Sequence, residues 1–273
     1  MKTKRRTRIF WAVVGFVLAA GWLVPFYLML TNSLKTQKDI FTNTLSLPHP
    51  PTVSNYPMAM QELDFIRSLF NSLLITVVSV AIIIVFSALA AYALVRTKRR
   101  ISGIIFLTFA AAMLIPFQSV MIPLIAVFGK VHMLNRIGLM FMYLGFGSSL
   151  SIFLYHGTLK SIPVALDEAA RIDGCNRWQT FWYVIFPILK PMTVTVAILN
   201  AIWIWNDYLL PSLVINQPGI QTIPLKMFFF FGEYTKQWNL ALAGLTISII
   251  PIIVFYFFAQ KQIIKGITQG SVK

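Results

Sequence analysis

Few residues in this chain are able to do chemistry, and they fall in two places. The first is Glu168-Ala169-Ala170-Arg171-Ile172-Asp173-Gly174, an alanine pair set among ionisable side chains and closed by a glycine. Here Glu168 either makes a specific hydrogen bond or salt bridge, or is a solvated charge favoured by a helix N-terminus. The second is Trp205-Asn206-Asp207-Tyr208, where Asp207 is the one acidic residue inside an apolar run. A carboxylate at membrane depth is costly unless paired or hydrated, and so points to function by default. The alternative is a structural carboxylate bonded to a neighbouring helix or partner chain. Covalent and metal chemistry have little to build on. Cys175 is the sole cysteine, His49, His132 and His156 are far apart, and H-E-x-x-H and the phosphate loop G-x-x-x-x-G-K-[ST] are both absent.

Both sets must be positioned by helices. Ser161-Ile162-Pro163 opens a first short helix, because proline is tolerated in a first turn. Ala165, Ala169 and Ile172 form a small apolar stripe on it, and Asp167 and Arg171, four apart, are placed to pair on the other face. Gly174 takes positive φ cheaply and turns the chain into a second helix. There Trp178, Phe181, Trp182 and Ile185 share one face, with Asn176, Arg177, Gln179 and Thr180 directed away. Such an aromatic-faced helix suits a membrane surface or a bundle.

Composition sets the medium. The chain is 58% hydrophobic and 11% charged, against about 25% charged in soluble domains. It reads as an all-α integral membrane protein, one bundle over residues 1–273. Apolar runs at about 9–30, 70–95, 104–128, 137–155, 192–215 and 240–258 are each near the ~20 residues that cross a bilayer. The first is read as an uncleaved span, since Leu18-Ala19-Ala20 is a poor cleavage site. Pro116 and Pro123 should kink or break the third run. Gly145 and Gly147 in the fourth allow close helix contact. The net charge of +15 is not clustered as a nucleic-acid face. With both termini inside, 16 of the 23 lysines and arginines fall on the inner side and seven outside. That bias predicts cytoplasmic termini and a cytoplasmic loop at 160–187 in a multi-pass cell-membrane protein.

Glu168-Ala169-Ala170, then three residues, Gly174, nine residues, an aliphatic residue and Pro187 resemble the EAA loop of ABC importer permeases. Val184 and Phe186 stand where that family more often has isoleucine and leucine. The resemblance extends through Ser33-Leu34-Lys35, Asn55-Tyr56, Asn71-Ser72-Leu73, Ile115-Pro116, Ile122-Pro123, Gly138-Leu139, Ile162-Pro163, Trp205-Asn206-Asp207-Tyr208 and the tail Lys265–Lys273. It is nearest to the carbohydrate branch, in particular the smaller permease of maltose-type importers. Arg136 and His156 depart from that pattern. The resemblance implies that Glu168, Ala169, Ala170, Arg171, Asp173 and Gly174 couple the chain to a cytoplasmic ATPase. It also implies a second, different permease, two ATP-binding subunits holding ATP and Mg, and an extracytoplasmic sugar-binding protein. This chain then needs no cofactor and catalyses nothing. Trp205, Asn206, Asp207 and Tyr208 are candidates to line a sugar path, since aromatics stack on sugars and amides bond hydroxyls. In such pairs the main sugar contacts often fall on the partner permease. The competing function is an ion-coupled secondary transporter, for which Asp207 is the one candidate carboxylate within a span.

Overall fold

The computed structural model describes residues 2–97, 99–231 and 236–271, with side chains of 2–8, 255, 258, 259 and 261–271 outside that description. The basic side chains from Lys2 to Arg8, Lys98 and the tail motif 265–273 therefore lie outside the described set. Among the described residues the chain is helical, and the one β-type pairing is an isolated bridge between Phe231 and Lys236. Among the described residues three helices are long and apolar enough to cross a membrane: Ile9–Ser33, Phe65–Arg96 and Arg136–Lys160. Counting each of two bent helix pairs as one span raises this to five.

The chain divides into two units. The first, Met1–Ile66 with Lys226–Ile253, holds α1 (Lys2–Ser33), α2 (Gln37–Thr42), α3 (Asn55–Glu62) and the start of α14 (Trp238–Ser271). Polar side chains tie its irregular segments. The Asn55 amide donates to the carbonyls of Ser33 and Lys35, each at 2.8 Å, and its Oδ1 accepts from Asn239 at 3.0 Å. The buried Lys35 ammonium donates to Asn32 Oδ1 and to the carbonyls of Asn43 and Thr44. Burial pulls its pKa below the ordinary lysine value, and Asp39 opposes that shift. Ser33-Leu34-Lys35 and Asn55-Tyr56 are thus each other's hydrogen-bond partners, with Ser33 Oγ 2.8 Å from the Tyr56 hydroxyl.

The second unit, Arg67–Leu225 with Val254–Lys273, is built on α4 (Phe65–Arg96) and α7 (Arg136–Lys160). On α4, Ser79, Ile83, Ser87 and Ala91 recur every fourth residue and are all buried, making one inward face of small residues broken by Ile83. Gly147 on α7 meets that face. A Cβ there would come within 2.6 Å of both Ile83 Cδ1 and Asn200 Oδ1. Gly145, expected to share this role, has nothing within 4 Å. It lies two residues from Gly147, about 200° around the helix, and so faces away. The third run is two helices, α5 (Arg100–Ala112) and α6 (Phe117–Lys130), bent by 105°. Pro116 sits at the break as N-cap, where its missing donor costs nothing. Pro123 is accommodated inside α6, which continues through it.

Candidate functional site

The Glu168 stretch forms an elbow. α7 ends at Lys160, and the chain passes Pro163 into α8 (Ala165–Ile172). Gly174 has φ +89°, Gly174 N–H donates to the Arg171 carbonyl, and Cys175 N–H donates to the Ala170 carbonyl. This pair of bonds is a Schellman C-cap, which favours glycine at that position. Asn176 and Gln179 then cap each other reciprocally at the start of α9 (Arg177–Gln179). The chain turns at Gly174 as expected, and Phe181 and Ile185 of the second arm face inward as expected. The first helix, however, buries the opposite face, and Thr180 and Trp178 exchange sides.

On α8 the inward residues are Asp167 and Ala170, which are 2% and 5% exposed. Ala165, Glu168, Ala169, Arg171, Ile172, Asp173 and Gly174 are exposed, with Ile172 at 86%. Ala169 and Ala170 therefore do not share a docking face: Ala169 points out and Ala170 packs inside this chain. The expected Asp167–Arg171 pair is also replaced. Asp167 accepts a 2.6 Å hydrogen bond from the Tyr92 hydroxyl and lies 2.8 Å from Arg96 Nη2, both near the end of α4. A carboxylate turned into the bundle needs its counter-charge inside too, and Arg171 is on the exposed face.

The second arm departs from α-helical phase. Thr180–Ile185 is a π turn, in which Phe186 N–H reaches the Phe181 carbonyl. It leads into α10 (Phe186–Ile188), whose Pro187 has no N–H to offer the preceding turn. The wider turn rotates the inward set to Thr180, Phe181 and Ile185, all buried. Thr180, expected to face away, donates to the Asn176 carbonyl at 3.0 Å, while Trp178 is exposed. Trp182 meets Phe181 and Phe186 edge-on, Phe181 and Phe186 are tilted to each other, and Phe181 also meets Tyr92 at 5.3 Å.

The Asp207 set lies at a break. α11 (Lys190–Asn206) ends there, and α12 (Leu209–Val214) begins after it. Asp207 accepts from the Tyr143 hydroxyl at 3.0 Å and from Leu209 N–H at 3.0 Å. The carboxylate thus caps a helix start and ties it to α7. Asn206 donates to the Ile202 carbonyl and is exposed, and Trp205 and Tyr208 are half-buried. Tyr143→Phe removes a partner from this partly buried carboxylate. It is expected to destabilise the protein by about 1–3 kcal/mol, read as a lower melting temperature in detergent. An unchanged melting temperature would show that water already serves Asp207.

Three further residues matter that sequence reasoning passed over. Tyr92 and Arg96 are four apart on one helix face, but Arg96 read only as an orienting charge. Asn200, 4% exposed, donates to Ser151 Oγ and the Val196 carbonyl. Its signal was an amide in the middle of an apolar run, six residues before Asn206. Among the described residues no group of three or more histidine, cysteine or carboxylate side chains is placed to hold a metal ion.

The apolar helices of the described residues, three of them long enough to cross a bilayer, mark a membrane protein. The profile of the "Binding-protein-dependent transport system inner membrane component" family matches residues 83–269, and the chain belongs to that family. It is 57% identical, over 95% of both chains, to a probable starch degradation products transport system permease protein of Thermoanaerobacterium thermosulfurigenes. It is 36% identical, over the full length of both, to a multiple sugar-binding transport system permease protein of Streptococcus mutans. Its fold matches a chain of a bacterial ABC transporter involved in the import of the acidic polysaccharide alginate. That match has TM-score 0.80 and 25% identity, and covers 96% of this chain and 98% of the other. The chain is a membrane component of a transport system, and nothing in the family or the geometry supports the ion-coupled alternative.

Proposed function

We propose that this chain is the permease subunit of an ATP-driven ABC importer for a sugar or oligosaccharide, coupled to its ATPase through α8. The observation that carries the coupling role is the outward face of α8. Glu168, Ala169, Arg171, Ile172 and Asp173 are exposed beside a Schellman turn at Gly174, while the inward residues hold the helix to its own chain. A short helix with a small residue and charges outward fits helix-in-groove recognition. The sugar class is supported by the relatives, a probable permease of a starch degradation products transport system and a permease of a multiple sugar-binding transport system. Trp205, Asn206 and Tyr208 remain the side chains proposed to line the path, with Asp207 holding the break that presents them.

In this reading six spans, at about 9–30, 70–95, 104–128, 137–155, 192–215 and 240–258, place both termini in the cytoplasm. The 160–187 loop faces two ATP-binding subunits that hold ATP and Mg. A second, different permease completes the passage, and a sugar-binding protein delivers substrate from outside. ATP closes the ATPase pair, the α8 elbows move with it, and the passage switches its open side.

The test is co-purification of the tagged chain from native membranes in mild detergent, with ATPase assayed on the product. Recovery of a second permease and an ATPase, with activity raised by a sugar-binding protein, is expected. Recovery of the chain alone or as a homo-oligomer without ATPase sinks the proposal. In the same assay Glu168→Lys is expected to insert normally and lose roughly tenfold or more of the stimulated activity, within the usual range of coupling energies.

A further inference from the structure

We propose that the cluster of buried Asp167 with partly buried Tyr92 and Arg96 is the link that carries a displacement of α8 into α4. The inference rests on the coupling role proposed above for α8. Of the two inward residues on that helix, Ala170 offers only packing, and Asp167 accepts a hydrogen bond from Tyr92 and forms an ion pair with Arg96. Its carboxylate is gripped by two side chains one turn apart on α4: the Tyr92 hydroxyl at 2.6 Å and Arg96 Nη2 at 2.8 Å. The same guanidinium donates to the Ile162 carbonyl at 3.2 and 3.3 Å, so it holds both the entry to the elbow and its first helix. The Tyr92 ring packs on Phe181 of the second arm at 5.3 Å. The last turn of α4 therefore touches the entry and both arms of the elbow.

α4 is also engaged at its other end. The Asn71 amide donates to the carbonyls of Gly219 and Gln221, and Ser72 Oγ accepts from Ile223 N–H. From residue 71 to residue 96 a continuous helix covers about 38 Å. One unbroken element thus joins the coupling elbow to the 219–223 segment. An ion pair with a buried carboxylate and a partly buried guanidinium is weak evidence for a stability role and better suited to fixing one geometry. A contiguous path carries coupling only if its two ends bias each other, so the test is a coupling measurement.

The purified full importer, with its partner permease, ATPase and binding protein, is assayed for ATP hydrolysis. The assay is run with and without the binding protein plus maltotriose, the probe suggested by the starch-product relative. Tyr92→Phe and Asp167→Asn are expected to assemble at wild-type stoichiometry and keep basal hydrolysis. Their stimulation by the loaded binding protein is expected to fall about fivefold or more. The exchanged pair Arg96→Asp with Asp167→Arg is expected to recover stimulation relative to either single change. Wild-type stimulation per assembled complex in both Tyr92→Phe and Asp167→Asn overturns the proposal, whatever the yield, because a mere anchor lowers yield alone. If Asp167→Asn fails to assemble, Tyr92→Phe decides, since it removes one hydrogen bond and leaves the ion pair. A wild-type complex without ATPase, or with ATPase indifferent to the loaded binding protein, overturns the importer reading and this inference together.

Discussion

Gly174→Val is expected to abolish stimulation of the ATPase by the binding protein while leaving membrane insertion intact. The cause is conformational and not steric. A Cβ at Gly174 meets nothing within 4 Å, but its φ of +89° is hostile to a β-branched residue. Holding such a residue there costs about 1–3 kcal/mol. The elbow relaxes instead, breaking the bonds from Gly174 N–H to the Arg171 carbonyl and from Cys175 N–H to the Ala170 carbonyl. α8 then leaves its fixed angle to the second arm, and the exposed face of Glu168 and Ala169 no longer presents one shape to a groove. Gly174→Asn separates this from a general loss of folding, because asparagine tolerates positive φ better than other non-glycine residues. It is expected to keep most of the stimulation. Equal activity in the valine and wild-type proteins would remove the elbow from the coupling mechanism.

Gly147→Leu is expected to cost the protein its folded state in detergent. The new Cβ alone would lie 2.6 Å from Ile83 Cδ1 and 2.6 Å from Asn200 Oδ1, where α4, α7 and α11 meet. Overpacking accounts for about 1–3 kcal/mol. Displacing the buried Asn200 amide from Ser151 and Val196 adds about 1–3 kcal/mol more. A sum of that size is a large share of a typical domain's stability. The check is size-exclusion elution of tagged protein after graded heating. Gly145→Leu is the matched control: with nothing within 4 Å of its Cβ position, it is expected to elute as wild type. Indistinguishable heating curves for Gly147→Leu and wild type would show that the three helices do not pack as described.

Several short motifs that marked the family resemblance have a physical meaning visible only in three dimensions. Asn71 and Ser72 hold the backbone at 219–223, residues about 150 positions away. Asn55 holds the carbonyls of Ser33 and Lys35. Each is a polar side chain closing irregular backbone, which must be satisfied within the protein wherever lipid replaces water. Nothing local to Asn55 or Asn71 names the partner, so the sequence shows the residues and hides the bonds.

Apolar runs, the glycine elbow and the helix-breaking proline at 116 were legible in the sequence because each depends on near neighbours. Run length answers to bilayer thickness, Gly174 to its own φ, and Pro116 to its missing N–H. The tertiary structure decided which way residues face. A widened turn at Thr180–Ile185 turned Thr180 inward, against α-helical phase. The carboxylate of Asp167 went to Arg96, 71 positions away, in preference to Arg171 four residues on. Helical spacing shows which pairs can meet; whether they do depends on which face the rest of the chain buries. For Asp167 that face belongs to α4, and a buried charge goes where its counter-charge is buried with it.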